Sequence, residues 1–343
     1  MAVKHLAVWT DAAYHKDALF DPASPLNRDN CLSGYRLLRG SLSGRGWECH
    51  TQDHYIAAGA CPDAVLFTDM PRVPPAKLLG NWAGRVRKLA LLLECAVIKP
   101  ENWAPGARDG FDAVFTWDES YVDGKKYFKT NFPNPFPAVI PAGLSGKTGF
   151  CVMITANKKS SHQLELYSER EKTARWFEVN HPEEFDLYGM GWDRRVFSGP
   201  FPVRALNRFP SLARLLAPTR PSYRGVIAEK RPLIEKYTFS ICYENAREIP
   251  GYITEKIFDC LFSGNIPVYW GAPDIEEFVP KNCFVDRRDF RTHDELYAYL
   301  KGLSHEDQLG YLEAARKYIF SPKAYQFSDR SFAETLGEVV SRG

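Results

Sequence analysis

No uncharged apolar run in the 343-residue chain approaches the ~18 residues of a membrane-spanning helix, which sets integral helical membrane proteins aside. The eight cysteines, at 31, 49, 61, 95, 151, 242, 260 and 283, include no Cys-x-x-Cys pair. Several lie inside apolar runs, so reduced, buried thiols are expected, with neither a disulfide framework nor a zinc site. His50 and His54 have the spacing of a helical ligand pair, but no acidic or third ligand accompanies them, and a surface pair is expected. Charge of one sign is lacking too. Lys and Arg number 44 against 42 Asp and Glu, and a net charge of +2 gives no broad reason to expect a nucleic-acid partner. Internal repeats and low-complexity segments are absent. The opening MAVKHLAVWT reads as a short strand, too brief for a secretory signal.

What is present is an alternation. A length of 343 residues exceeds one ordinary core, so two domains are expected. Apolar strands at 4–9, 47–50, 64–68, 88–93 and 113–117 are separated by helical or polar stretches. This pattern indicates an α/β fold with a parallel, doubly wound sheet. Residues 131–149 are dense in Pro and Gly and read as a linker. The alternation then restarts with strands at 150–155, 185–188, 237–243, 266–270 and 283–286. Helices are expected near 161–178 and 226–236, at 293–302 and 306–319, and in the tail 328–341. The domains expected are 1–140 and 150–322, with 323–343 a helix that packs back on the first.

The most informative stretch is Tyr237 to Gly271, YTFSICYENAREIPGYITEKIFDCLFSGNIPVYWG. A buried strand is followed by a polar loop. Thr254 then caps a short helix with Glu255 and Lys256 in its first turn, Gly264 ends it, and a second buried strand follows. A helix N-terminus beyond a strand's carboxyl end suits an anion. Lys256 would supply a mobile positive charge, Glu255 could accept hydrogen bonds from a ribose diol, and Tyr252 and Asn245 offer neutral hydrogen bonds. The alternative is a capped helix whose Glu complements the dipole and whose Lys is solvated. Arg170 is a separate signal. With Tyr167, Ala174 and Phe177 at i−3, i+4 and i+7, it falls on the apolar stripe of its helix, where a charge needs a partner. That partner is a phosphate, held by parallel hydrogen bonds, or an internal carboxylate.

Tyr243-Glu244-Asn245, then Gly251 through Lys256 (GYITEK), then Pro267 and Trp270-Gly271 resemble the signature of the family 10 glycosyltransferases, the α1,3/α1,4-fucosyltransferases. Weaker resemblance runs from about Phe150 to Phe290. It implies two Rossmann-like domains facing a cleft (GT-B) and an inverting transfer of fucose from GDP-fucose to a glycan hydroxyl, as an α1,3 linkage to GlcNAc or a similar sugar. It also implies that Arg170, which follows a strand and Asn157, contacts the donor pyrophosphate, with Asn245, Tyr252, Glu255 and Lys256 around it. Glu94 terminates Leu91-Leu92-Leu93 and is the candidate base, with Glu101 in reserve. Partial burial would raise its pKa toward working pH, while capping a helix or pairing with Lys88 is the bland alternative. Gly189-Met190-Gly191 is too short for a dinucleotide fingerprint but could let backbone approach the nucleotide. Lys158, Lys159 and Lys230 could add positive potential. No Asp-x-Asp occurs, so no tightly bound cofactor or divalent metal is required by this reading. Trp9, Asp11, His15 and Asn27-Arg28-Asp29 are candidate acceptor contacts. The resemblance is to the soluble bacterial type, which implies a cytoplasmic location, action in lipopolysaccharide-type glycan biosynthesis, and at most peripheral membrane contact through a lipid-linked acceptor. Another nucleotide-activated sugar, or non-catalytic glycan or nucleotide binding, are the rival readings.

Overall fold

A computed structural model describes residues 2–342 apart from 196, 198, 199 and 218. The chain divides into two compact units. The first comprises Met1–Phe136, Ile249–Glu255 and Pro322–Gly343, and the second Pro137–Glu248 and Lys256–Ser321.

In the first unit the strands β1 (Lys4–Trp9), β2 (Trp47–Thr51), β3 (Ala64–Thr68), β4 (Arg87–Leu92), β5 (Ala113–Thr116) and β6 (Tyr127–Lys129) form one sheet in the order β2-β1-β3-β4-β5-β6. Every pairing is parallel. Near-continuous apolar strands such as AVLFT are what a sheet covered on both faces requires. One face packs Leu6, Val8, Leu66, Leu89 and Phe115 against the helices Ser33–Ser43 and Asp329–Ser341. The other packs Ala7, Val65, Phe67, Ala90 and Val114 against Tyr55, Leu79 and Trp82. The C-terminal helix can approach the helix Ser33–Ser43 closely because Gly34 and Gly337 lack a Cβ, which would lie 2.8 Å from Pro133 and 2.8 Å from the Ser41 hydroxyl respectively.

The second unit has β7 (Gly149–Ile154), β8 (Phe185–Tyr188), β9 (Tyr237–Tyr243), β10 (Ile266–Trp270) and β11 (Val285–Asp286), ordered β11-β10-β9-β7-β8 and again all parallel. Both sheets are therefore open and doubly wound. The strand order reverses between β1 and β3 in one and between β7 and β9 in the other. Ligands bind at such switch points, beyond the carboxyl ends of the strands.

Three of the expected elements change their bounds, and the short strand β6 is not among those expected. The helix expected from about 161 begins only at Tyr167, because residues 164–166 pair with the loop after β9. Leu166 N–H donates to the Asn245 carbonyl (3.1 Å) and Arg247 N–H to the Leu164 carbonyl (2.9 Å). The helix expected near 226–236 shrinks to Arg231–Ile234, where Pro232 can occupy only a first turn. The strand expected at 283–286 is two residues long, since Lys281–Cys283 forms a 3-10 turn.

Candidate active site

In the second unit the switch point is built around Arg170. The helix Tyr167–Asn180 buries Tyr167, Arg170, Ala174 and Phe177 on one stripe, and Arg170 is 4% exposed. Its guanidinium donates to Thr155 Oγ1 just after β7 (3.0 Å), to the Tyr243 carbonyl at the end of β9 (2.6 Å) and to Asn245 Oδ1 just beyond (3.1 Å). One fork thus ties together the two strand ends that flank the reversal. Asn245 is fixed from its other side by the pairing of its carbonyl with Leu166.

The Thr155 loop is pinned by residues 189–192. Gly189, at φ +130°, lies against it so closely that a Cβ would sit 2.0 Å from the Thr155 carbonyl. Trp192 Nε1 donates to that carbonyl (2.7 Å), and Asn157 bonds Met190 and Gly191 at 2.9 Å. Gly189 therefore serves a close backbone packing against Thr155, while at Gly191 it is the φ of +87° that favours glycine.

Glu244 is a residue whose role the sequence did not reveal. It is fully buried after β9, and its carboxylate lies 3.4 Å from Lys256 Nζ. Gly271 makes room for it, because a Cβ there would meet Glu244 Cγ at 2.4 Å. Lys256 is thus a paired charge held in one place, not the mobile one expected. Glu255 opens the helix Glu255–Phe262. Lys230 pairs with Asp259 at 2.7 Å, and Lys158 and Lys159 are exposed.

In the first unit Glu94 follows β4, one strand from the switch. Its carboxylate accepts a hydrogen bond from Tyr252 Oη (3.1 Å). Tyr252 is fully buried, packed on the rings of Trp117 and Phe132, so its phenol faces Glu94. Gly251 adopts φ +73° with space for its Cβ only 3.0 Å from the Trp117 carbonyl. The backbone at Glu94 is held by a knot that the sequence also concealed. Asp69, at φ +59°, accepts on a single oxygen from Leu93 N–H (2.9 Å), Glu94 N–H (3.1 Å) and Asn102 Nδ2 (2.7 Å). Buried Asn102 in turn donates to the Glu94 carbonyl (2.9 Å) and accepts from Met70 N–H (2.7 Å), and Trp103 Nε1 donates to the same Glu94 carbonyl (3.0 Å). Cys95, beside Glu94, is buried; burial pushes its thiol up to about 11, so it is a neutral neighbour. Glu101, the reserve base, pairs with Arg72 at 3.4 Å.

The loop carrying the acceptor candidates is fastened to the end of β2. Asp17 accepts from Thr51 N–H (2.9 Å), and Gln52 bonds His15 (2.9 Å) and the Thr10 carbonyl (2.7 Å). His50 corrects the surface-pair expectation. It is half-buried, lies 2.6 Å from Asp17, and stacks on His54 at 4.0 Å. Burial pushes the Asp17 carboxyl up, but hydrogen bonds from Thr51 and His50 outweigh it and hold the group below its ordinary value. Among the described residues no cluster of three or more His, Cys, Asp or Glu could hold a metal ion, and no helix is long and apolar enough to cross a membrane.

Two open parallel sheets, each with polar residues gathered past its strand ends, define the GT-B class of fold. An α1,3-fucosyltransferase solved with GDP matches at 18% identity and a TM-score of 0.56, over 100% of this chain and 91% of that one. Anabaena HepE, solved with UDP and glucose, matches at 11% identity and a TM-score of 0.58, over 99% and 100%. At such identities the likeness is one of fold.

Residues 221–331 match the family described as "Glycosyltransferase family 10 (fucosyltransferase) C-term". The Helicobacter pylori α-(1,3)-fucosyltransferase FucT is 32% identical over 184 residues, 48% of this chain and 37% of that protein. An Arabidopsis thaliana α-(1,4)-fucosyltransferase is 39% identical over 77 residues, 22% and 19% of the two chains. The chain thus spans well under half the length of these relatives.

Proposed function

We propose that the protein is an inverting glycosyltransferase that moves fucose from GDP-fucose to a hydroxyl of a glycan acceptor. The observation that carries this reading is the gathering of Arg170, Asn245 and Lys256 past the strand ends of the second sheet, in a chain whose family domain bears the fucosyltransferase description. A related fold has been solved with GDP-fucose, which supports the same donor here. In this reading Arg170, Asn245 and Lys256 bind the diphosphate, and Glu255 accepts from the ribose. Glu94 takes the acceptor hydroxyl's proton as its oxygen bonds the anomeric carbon. The bond from that carbon to the phosphate oxygen breaks, and its electron pair leaves on GDP. Arg170 and Lys256 stabilise the charge that builds on the leaving diphosphate. Buried Tyr252 reads best as a residue that orients Glu94 by hydrogen bonding, in place of the phosphate contact first expected. An α1,3 linkage, action on a lipid-linked or lipopolysaccharide-type acceptor, a cytoplasmic location and turnover without divalent metal belong to the same proposal.

The test is GDP release from GDP-fucose with a panel of glycan acceptors, alongside calorimetry against several sugar nucleotides. Glu94→Gln should lose ~10²-fold or more in turnover, the scale of general-base catalysis, with donor affinity kept. Unchanged turnover would remove Glu94 from the mechanism, and tighter binding of a UDP-sugar would replace the donor. Binding without transfer under every acceptor would leave a non-catalytic protein.

A further inference from the structure

The chain's positive charge is concentrated in one place that the proposed chemistry does not use. Residues 193–220 contain six arginines and a single acidic residue, Asp193, in a chain whose net charge is only +2. The ends of this segment are anchored to the second unit. Buried Trp192 bonds the Thr155 carbonyl, and buried Arg220 stacks over Trp192 at 5.2 Å while pairing with Glu171 (2.8 Å) and Glu178 (3.1 Å). Between the anchors the chain folds back on itself. Arg195 N–H donates to the Ala213 carbonyl (2.7 Å), and Asn207 exchanges two hydrogen bonds with the backbone of Phe197 (2.9 and 2.8 Å).

Five apolar side chains of the segment face outward: Phe201 is 66% exposed, Phe209 60% and Leu215 81%, with Val203 and Leu216 also exposed. Arg208 and Arg214 are exposed on the same segment, Arg214 lying 3.4 Å from Asp193. A cavity of about 390 Å³ opens at the same place, its wall combining Lys159, Arg175, Arg194 and Arg195 with one carboxylate, Glu171, and with the apolar Val203 and Leu216. Cations around a recess, with apolar side chains alongside it, match a phosphate headgroup and the first carbons of its acyl chains.

We propose that the surface carrying Arg195, Phe201, Arg208, Phe209, Arg214 and Leu215 docks the protein onto an anionic phospholipid bilayer. Phe201, Phe209 and Leu215 enter the headgroup–acyl boundary, and the exposed Arg195, Arg208 and Arg214 hold lipid phosphates. A bilayer requires apolar depth and positive charge without a complementary shape, and the segment offers both. This is a contact made by the chain's own surface, independent of whichever acceptor the enzyme uses.

Co-sedimentation of the whole protein with vesicles of phosphatidylcholine and phosphatidylglycerol in equal parts, against phosphatidylcholine alone, tests it. Binding is expected to the anionic vesicles only and to collapse in about 0.5 M salt, where charges are screened beyond a few ångströms. Arg208→Glu with Arg214→Glu should lower the partition coefficient at least about tenfold, since each arginine near a charged bilayer contributes on the scale of a fivefold change. Phe209→Ser with Leu215→Ser should weaken binding similarly, whereas Arg208→Lys with Arg214→Lys should retain it. All these side chains are exposed, so melting midpoints should not move, and the salt dependence of the unaltered protein reads the same charge effect without any substitution. Four results would overturn the proposal: no binding to anionic vesicles, equal binding to neutral ones, undiminished binding by both weakened variants, or displacement of vesicles by GDP. Capture of one specific protein in place of vesicles would reassign the surface to that partner.

Discussion

The base in the proposed mechanism, Glu94, must be aimed as well as present, and besides Tyr252 on its carboxylate the aim rests on Asp69, which holds the backbone that carries it. Asp69 collects three hydrogen bonds on one oxygen while adopting φ +59°, a conformation that Asn and Gly share but that most side chains resist. Asp69→Asn keeps an acceptor oxygen and the backbone preference, so its turnover should stay within a few-fold of the parent. Asp69→Ala removes the acceptor from two part-buried backbone N–H groups and should lower kcat ~10²-fold with donor affinity unchanged, the usual result of misplacing a reacting group by about an ångström. Steady-state kinetics with a GDP-binding measurement check this, and a fall in both constants would make the knot merely structural. Arg170 differs, because it faces the donor side directly in the proposed mechanism. Arg170→Lys keeps a charge but cannot span Thr155, Tyr243 and Asn245. It should weaken GDP binding tenfold or more and also destabilise the fold by ~1–3 kcal/mol, the scale of a buried group left without its partner. If only the melting midpoint moved, Arg170 would be a structural clamp alone.

At the scale of elements, the second unit depends on a loop-to-loop seam between residues 155–157 and 189–192. The sequence suggested that the glycines of this seam could let backbone approach a nucleotide, whereas the neighbour that Gly189 admits is the Thr155 carbonyl. Gly189→Ala adds a methyl group at φ +130° and 2.0 Å from that oxygen. The seam must open, so the melting transition should fall by an amount corresponding to ~3 kcal/mol or more, combining overpacking with backbone strain. The matching change at Gly46 has nothing within 4 Å and only the φ term, so it should cost about 1 kcal/mol. Equal midpoints for the two variants would show that the seam yields. This contrast also marks what the sequence could express. Strands such as Leu89–Leu92 and Ile266–Tyr269 are apolar runs bounded by turn residues, and the Arg170 stripe follows from a 3.6-residue period, so local spacing carries both. Glu244 looks like any polar loop residue until Gly271 and Lys256, 27 and 12 positions away, enclose it. The late start of the helix at Tyr167 is a tertiary override, since residues 164–166 gain a backbone partner in the loop after β9 that a helix would deny them. The bonds on Asp69 likewise join residues 24 to 33 positions apart, beyond the reach of any periodicity.

For the molecule as a whole, stability against alkaline pH combines groups with opposite signs. Burial pushes the Lys147 ammonium down to about 8, only partly offset by the charge of Glu235, while its Nζ donates to the Glu235 carbonyl at 3.1 Å. In the unfolded chain the same lysine titrates near its ordinary ~10.4. Below pH 8 both states hold the proton and the folded state bears the full penalty of a desolvated charge. Between the two values the unfolded chain keeps a proton that the folded one has released, so this group makes stability rise with pH. Other buried groups act in the opposite direction. The thiols of Cys49 and Cys151 are raised by burial, and the Tyr237 phenol is raised by burial and by its hydrogen bond to Asp186. Each keeps its proton in the folded state after the unfolded chain has lost it, so their contribution declines above ~9 for the thiols and ~10 for the phenol. The lysine is isolated by comparing the parent with Lys147→Met, which leaves the opposing groups in place. At pH 7 the variant should be the more stable, by on the order of 2 kcal/mol once partial solvent screening is allowed for. That advantage should shrink steadily between pH 8 and 10 in denaturant titrations of the two proteins. A difference that stays constant across that range would mean that Lys147 remains charged in the folded state, with water reaching its ammonium.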